Sequence, residues 1–153
     1  MTAFTDPTKP NLPDFIIFVR NQGVTTDILP DGSPYFSSAY TFGKDTTLTS
    51  PGCLPSIIYV LAVYNLGMHK LIKIAPDTDP STYFVDMRKQ CGLLSFVAGP
   101  VIASADESTS ETLLPAEWLK DMTLSAADAL KTSWGRDYLE YANSYGSTVV
   151  ELS

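Results

Sequence analysis

One stretch constrains the fold of this chain more than any other, because its apolar side chains almost encircle a helix. It runs from Cys53 to Ala75 and reads CLPSIIYVLAVYNLGMHKLIKIA, with apolar residues recurring at spacings of three and four on more than one face. A helix that is apolar most of the way round is either buried or in a membrane. A membrane span needs about 18 to 20 residues almost free of charge, whereas this run contains polar residues and reaches His69 and Lys70. We therefore predict a long buried helix, with Pro55 in its first turn and Pro76 ending it.

The charge balance and the cysteines exclude several classes of function. The 153 residues carry a formal net charge of −7, and the 10 basic residues are scattered along the chain. A nucleic-acid-binding surface requires clustered Lys and Arg, so we do not expect one. The only two cysteines, Cys53 and Cys91, are too few and too far apart for a disulfide framework or a zinc site. We predict one globular domain with two reduced thiols, no metal and no cofactor.

The N-terminal sequence predicts an arm and no secretory signal. The opening residues MTAFTDPTKPNLPD have neither a basic start nor an apolar stretch, so we expect the chain to be made in the cytoplasm and to stay there. Pro7 and Pro10 lie among polar neighbours. Residues 1–12 are therefore predicted to form an N-terminal arm, a loose lead-in without packed structure.

Helical periodicity covers most of the remaining chain and predicts a mainly α fold, a compact helical bundle around the long buried helix. The first helix is predicted to begin after Asn11 and to end at Gly23, and the second to run from Pro34 to about Phe42, with Gly43 as its stop. The helical domain is predicted to span 13–145, with further helices over 81–92 and from Pro115 through Leu119. Another helix is predicted after a cap at Thr123 or Ser125, with Ala127, Leu130 and Trp134 facing inward. The last helix is predicted to run from Trp134 to Tyr145 and to be closed by Gly146.

Two segments look like protrusions from this body. From Leu93 to Leu114 the sequence has no helical period, and 101–103 is predicted to pair with 109–113 as a hairpin, or to form an extended arm over about 96–114. The tail, 146–153, is β-prone and is either free or a strand offered to a neighbour. We expect partner contacts from these segments at Val101, Ile102, Ser104, Asp106, Glu107, Ser108, Thr109, Ser110, Val149, Val150 and Leu152.

The chain shows no motif for catalysis. His69 is the single histidine and shares a helix face with Asn65, but no nucleophile motif lies nearby. No GxSxG, Walker loop, dinucleotide-binding glycine pattern or HExxH occurs. We predict a hydrogen-bonded core or interface histidine, and a protein that is not an enzyme.

Two other features have a functional and a structural interpretation. Asp106, Glu107 and Glu111 form the nearest thing to a carboxylate cluster, but their spacing matches no EF-hand loop, so a solvated or partner-facing arm is favoured. The Trp134-Gly135 step could stack a ligand, but packing at the start of a helix is the favoured interpretation.

Three segments, in one order, resemble the head-to-tail adaptor proteins of tailed bacteriophages, also called connector or head-completion proteins. They are YNLGMHKLI at the end of the long helix, PVIASADESTSETLL, and KTSWGRDYLEYA. The family shows a long apolar helix with a histidine near its end, then a Gly/Ser-rich SASDGSxS-like arm, then a TxYG-type step into a terminal aromatic helix. The resemblance covers about residues 53–145 and departs from the family at Asp106-Glu107, where the family has Asp-Gly. The matching positions are His69, Ser104 to Ser110, Thr132, Trp134, Gly135 and Tyr138.

The resemblance implies a structural virion protein of the neck. Such a protein forms a ring, a dodecamer by the resemblance, between the portal protein and the next neck or tail protein. It contacts neighbouring copies of itself and surrounds a channel through which DNA passes without specific binding. The resemblance assigns His69, Trp134, Gly135 and Tyr138 structural roles, and it implies no cofactor and no membrane.

Two alternatives stay open at this point. One is another tail or neck completion protein with the same helical build. The other is a small acidic inhibitor that mimics DNA or binds a basic DNA-binding protein. That inhibitor would need carboxylates clustered on one face, whereas here they are spread among the arm, loops and helices.

Overall fold

The protein is mainly α-helical, as predicted. The structure is a computed structural model that describes residues 3–47, 55–94, 103–106, 109–112 and 123–145. Within these residues it contains six helices and two short strands. In chain order they are α1 (Leu12–Asn21), α2 (Pro34–Thr46), α3 (Ser56–Ile74), α4 (Tyr83–Gln90), β1 (Ala103–Asp106), β2 (Thr109–Thr112), α5 (Leu124–Ala129) and α6 (Ser133–Tyr145).

The predicted long buried helix is α3, and the other helices pack around it. The side chains of Val60, Val63 and Tyr64 are completely buried, as are Met68 and Leu71 in its second half. α2 packs along one side of α3 and α6 along another, while α1 touches both α2 and α3. α3 is long and apolar enough to cross a membrane, but 61% of that window is buried inside the protein, as in the core helix of a soluble protein. Pro55 precedes α3 as its N-cap residue and does not lie in the first turn.

α2 is longer than predicted, because Gly43 does not end it. The helix continues to Thr46 and buries Gly43 against α3. A Cβ on Gly43 would meet the backbone oxygen of Val63 and would lie 2.9 Å from the backbone nitrogen of Gly67. The missing side chain therefore allows α2 and α3 to approach at backbone contact. A glycine that ends a helix and one that brings two helices together look alike in a single sequence.

The N-terminal residues lie against the helical body from Phe4 onward, which corrects the prediction of a loose lead-in. The ring of Phe4 packs edge-on against Tyr64, with the centroids 5.4 Å apart. The backbone N–H groups of Thr5 and Asp6 donate to the carboxylate of Asp14 at 2.7 and 2.8 Å. Asp14 is completely buried, and a buried carboxylate needs such donors. The segment is thus ordered by an acid in α1.

Local capping signals placed several helix ends correctly. The side chain of Asn11 caps α1 by accepting from the backbone N–H of Asp14, and Gly23 follows the helix with a positive φ of 95°. α4 ends before Gly92, whose φ of 63° suits a glycine after a helix end. Thr123 caps α5 through its side chain.

Other predictions for the second half had different outcomes. Ala127 is exposed and Ala129 is the buried alanine of α5, so the prediction was wrong for Ala127, whereas Trp134 is partly buried and packs against the core, as predicted. β1 and β2 pair antiparallel, with Ala103 opposite Thr112 and Asp106 opposite Thr109. Cys91 is a free, half-buried thiol. The predicted helix from Pro115 through Leu119, the other predicted thiol at Cys53, the stop at Gly146 and the tail lie outside the described residues.

Candidate functional site

An open cleft of about 230 Å³ lies between the second half of α3, the end of α2 and the α5–α6 pair. Its buried lining residues are Leu66, His69 and Ala129. We call it the basic cleft, because Lys70 and Lys73 line it and Asp128 is the one carboxylate among the lining residues that the structure describes. These are Phe42, Thr46, Leu66, His69, Lys70, Lys73, Thr123, Ser125, Ala126, Asp128, Ala129, Tyr138 and Leu139.

His69 joins α3 to the turn between α5 and α6. Its Nδ1 atom lies 2.8 Å from the hydroxyl oxygen of Thr132, and its Nε2 atom lies 3.4 Å from a carboxylate oxygen of Asp128. His69 is only 5% exposed, and Thr132 is completely buried. The histidine is therefore a hydrogen-bonded core residue at one wall of the basic cleft. Its helix neighbour Asn65 is also buried and donates to the backbone oxygen of Leu61 at 3.0 Å.

Thr132 holds this contact in place because it also caps α6. Its hydroxyl oxygen accepts from the backbone N–H of Gly135 at 3.0 Å, and its carbonyl accepts from the N–H of Arg136 at 3.1 Å. A Cβ on Gly135 would run into the backbone of Ala129, whose carbonyl carbon would be 2.8 Å away. The absence of a side chain at Gly135 therefore lets α6 begin directly against the end of α5.

The hydrogen-bond partners define the protonation of the imidazole. An ionised Asp128 only accepts hydrogen bonds, so Nε2 carries the proton that faces it. Nδ1 is then an acceptor, and the hydroxyl of Thr132 donates to it. Burial lowers the pKa of His69, as do the charges of Lys73 and Lys70, whereas Asp128 opposes them. His69 is consequently neutral at pH 7 in the folded protein.

Asp128 is the charged centre of the site. Burial raises the pKa of the Asp128 carboxyl group, but the hydrogen bond and positive charge of Lys73, together with His69, lower it by more. The pKa of Asp128 is therefore below its usual value. Lys73 donates to Asp128 directly, and the Nζ atom of Lys131 lies 3.9 Å from its other oxygen. The Nζ atom of Lys70 lies 4.5 Å from the ring centroid of Phe42. Two lysines, Lys73 and Lys131, therefore contact this carboxylate, while Lys70 packs on the ring of Phe42.

The order hydroxyl, imidazole, carboxylate is that of a hydrolase triad, but its geometry here does not suit nucleophilic attack. The hydroxyl of Thr132 is buried and its oxygen already caps α6, so a substrate does not reach it. In the part of the chain that the structure describes, no group of three or more His, Cys, Asp or Glu side chains is arranged to hold a metal ion. The contact between His69 and Thr132 is suited to fastening α3 to α6.

The other predicted structural residues lie around the same helix junction. The indole N–H of Trp134 donates to the side-chain oxygen of Gln22 at 3.2 Å, which ties the start of α6 to the end of α1. Tyr138 lines the basic cleft, and burial raises its pKa. His69, Gly135 and Tyr138 are thus brought together, with Trp134 directly beside them.

Of the predicted partner-binding residues, Ser104 and Asp106 lie on β1, while Thr109 and Ser110 lie on β2. The remaining predicted contact residues, Val101, Ile102, Glu107, Ser108, Val149, Val150 and Leu152, lie outside the described residues.

The residues that sequence reasoning missed are the charged ones of the basic cleft. Lys73 follows His69 by four residues, so the two share a helix face, and this spacing was a usable signal. Asp128 is separated from Lys73 by 55 residues, and nothing in its local sequence distinguishes it from a solvated acid. Only the packing of α5 against α3 identifies it.

Comparison with known proteins found no matching family model, no matching curated protein and no matching solved structure. Functional inference for this chain therefore rests on its residues and its fold.

Proposed function

We propose that this protein is a head-to-tail adaptor of a tailed bacteriophage, a structural protein that forms a ring between the portal vertex and the next neck or tail component. In this proposal the helical body packs against neighbouring copies around the DNA channel. The protein performs no chemistry. Its partners are the portal protein, other copies of itself and the next neck or tail protein.

The observation that carries the proposal is the contact between two of the three segments that resemble the adaptor family. His69, near the end of α3, and Thr132, at the step into α6, are 63 residues apart and lie 2.8 Å from each other. Gly135 of the same step donates its backbone N–H to Thr132. Segments that belong to one structural unit are expected to touch, whereas chance matches to the family have no reason to do so. The contact thus supports the interpretation that the resembling segments belong to one structural unit.

The third segment supplies the protrusion that such a ring subunit needs. β1 and β2 lie within the resembling arm and pair with each other. We propose that they form a hairpin arm that leaves a helical bundle and finds its partners on neighbouring chains. The net charge of −7 fits a subunit that surrounds DNA, because carboxylates facing a channel repel phosphate and let DNA slide.

The test is to locate the chain in virions of the phage whose genome encodes it. Mass spectrometry of purified virions should detect the chain, and imaging should place a ring of it beneath the portal. Heads made without the chain should fail to join tails, and supplying the intact chain should restore joining. Absence of the chain from purified virions would contradict the proposal, and a position within the tail would favour the tail-completion alternative.

A second measurement addresses the DNA channel. The purified protein should show no tight binding to duplex DNA at low ionic strength, because its formal net charge of −7 opposes the counterion release from which such affinity derives. A gel-shift series in increasing salt checks this, with a basic DNA-binding protein as positive control. Tight, salt-sensitive binding would contradict a passive channel.

A further inference from the structure

The basic cleft has the chemistry of a docking site for acidic side chains. Lys70 and Lys73 line it and Lys131 adjoins it, while Asp128 is the one acid among the described residues that line it. This local balance is opposite in sign to that of the whole chain, whose formal net charge is −7. A basic cleft on an acidic protein attracts an acidic partner through complementary potentials.

The size of the cleft favours side chains over a free cofactor. Pockets for small molecules and cofactors measure roughly 300 to 1,000 Å³, whereas this cleft measures about 230 Å³ and is open to solvent. Leu124 lies between Thr123 and Ser125, which both line the cleft, and it is 87% exposed, more than any other large apolar side chain that the structure describes. A partner seated on the cleft would cover it.

The chain itself contains a segment of the complementary charge. β1 and β2, which read ASAD and TSET, contain Asp106 and Glu111 and no basic residue. We call them the acidic strand pair. Their register places Ser104 opposite Glu111 and Asp106 opposite Thr109, so one rung of the ladder separates the rungs that contain the two acids.

We infer that the basic cleft is the docking site for the acidic strand pair of a second copy of this chain. The inference rests on the proposed ring, whose lateral contact it identifies. Each copy carries both surfaces and they differ, so the contact is heterologous. Heterologous contacts generate rings when the rotation closes, and open chains when it does not.

The first test is disulfide trapping between two differently tagged full-length copies, both carrying Cys53→Ser and Cys91→Ser. One copy carries Ser125→Cys at the cleft, and the other carries Ser110→Cys on β2. Mild oxidation should yield the mixed dimer about tenfold more efficiently than a control pair, because docking raises the local thiol concentration. The control replaces Ser125→Cys by Thr26→Cys, which is exposed in the turn after α1 and does not line the cleft. Equal yields from the two pairs would overturn the inference.

The second test reverses the charges. Adding Lys70→Glu to the cleft copy should lower the trapping yield about fivefold, since an attraction becomes a repulsion. Adding Glu111→Lys to the arm copy should then restore the yield. Lys89→Glu, an exposed change on α4, is the matched control and should leave the yield unchanged. Circular dichroism of each variant checks folding. A yield that is insensitive to Lys70→Glu, or is not restored by the second reversal, would overturn the inference.

The two proposals fail separately. Trapping through the cleft by a chain that is absent from virions would contradict the adaptor function and leave the docking contact standing. A chain found in the neck that shows no trapping above the control would contradict the docking contact alone.

Discussion

At the scale of single residues, the clearest energetic role belongs to Asp14. Its carboxylate accepts from the backbone N–H groups of Thr5 and Asp6 and from the side-chain amide of Asn11 at 2.9 Å. Burial by itself raises the pKa of Asp14, but these hydrogen bonds outweigh it and lower the pKa from 3.8 to about 2. The ionised acid therefore holds the N-terminal residues on α1.

Replacing Asp14 by Asn should destabilise the protein by about 2 kcal/mol at pH 7, because the folded-state pKa of about 2 lies well below the usual 3.8. Because the folded-state pKa lies below the unfolded value, this stabilisation is present above about pH 4 and is lost as the pH falls towards 2. Urea unfolding at several pH values measures both effects.

The matched control for that variant is Asp27→Asn, an exposed acid in the turn after α1. It should change the free energy of unfolding by no more than about 0.5 kcal/mol. If the Asp14→Asn protein were as stable as the wild type at pH 7, the hydrogen bonds of Asp14 to the N-terminal residues would make no net contribution to the free energy of unfolding.

At the scale of secondary-structure elements, the closest approach in the fold is between α2 and α3. Gly43 meets the backbone of Val63 and Gly67, and Gly67 in turn faces the ring of Phe15. A Cβ at either glycine would contact another chain segment at 2.9 Å or less. The spacing of the two helices is therefore determined by two glycines, 24 positions apart, that face each other.

Gly43→Ala should destabilise the protein by about 1 to 3 kcal/mol, because the added methyl group meets backbone atoms that cannot move independently. Helix propensity alone predicts the opposite sign, since alanine is favoured over glycine in a helix by roughly 1 kcal/mol. Thermal or urea unfolding decides between the two effects.

Gly32→Ala provides the control, because a Cβ there meets nothing within 4 Å and its φ is not in the left-handed region. Its stability should stay within about 0.5 kcal/mol of the wild type. A stabilised Gly43→Ala protein would mean that α2 and α3 are farther apart in solution than described.

At the scale of the whole molecule, the single histidine couples stability to pH. His69 joins α3 to the α5–α6 turn, so its titration acts on contacts between distant parts of the chain. Burial lowers its folded-state pKa below the ordinary histidine value of about 6.5. The unfolded chain thus binds a proton before the folded chain does, and stability should fall as the pH drops below about 6.5 until the folded-state pKa is reached.

Replacing His69 by Gln should flatten this dependence, because the chain contains no other histidine. The midpoint of thermal unfolding should decrease from pH 7.5 to pH 5.5 in the wild type and change much less in His69→Gln. The variant itself should be less stable at pH 7.5, since a buried hydrogen-bond network is altered. Identical pH profiles for the two proteins would contradict a buried neutral histidine.

Much of the architecture could be predicted from local signals. The spacing of apolar residues identified α3, Asn11 and Thr123 identified helix starts, and Gly23 and Gly92 identified helix ends. These signals act within a few residues of one another, so a single sequence contains all that they require.

The candidate site was only partly predictable, because its residues come from distant parts of the chain. His69 was expected in a hydrogen-bonded core position, but its partners Thr132 and Asp128 come from another part of the chain. The basic cleft depends on Lys73 meeting Asp128 across 55 positions. No local pattern marks such a pair.

The sequence alone determined that this chain is mainly helical, that its longest apolar run is buried, and where most helices begin or end, because hydrophobic periodicity and capping are local effects. The tertiary structure alone decided that Gly43 joins two helices, that the N-terminal residues are held by Asp14, and that Lys73 and Lys131 meet Asp128. Each of these depends on which distant backbone or charge lies within a few ångströms, and that is a property of packing.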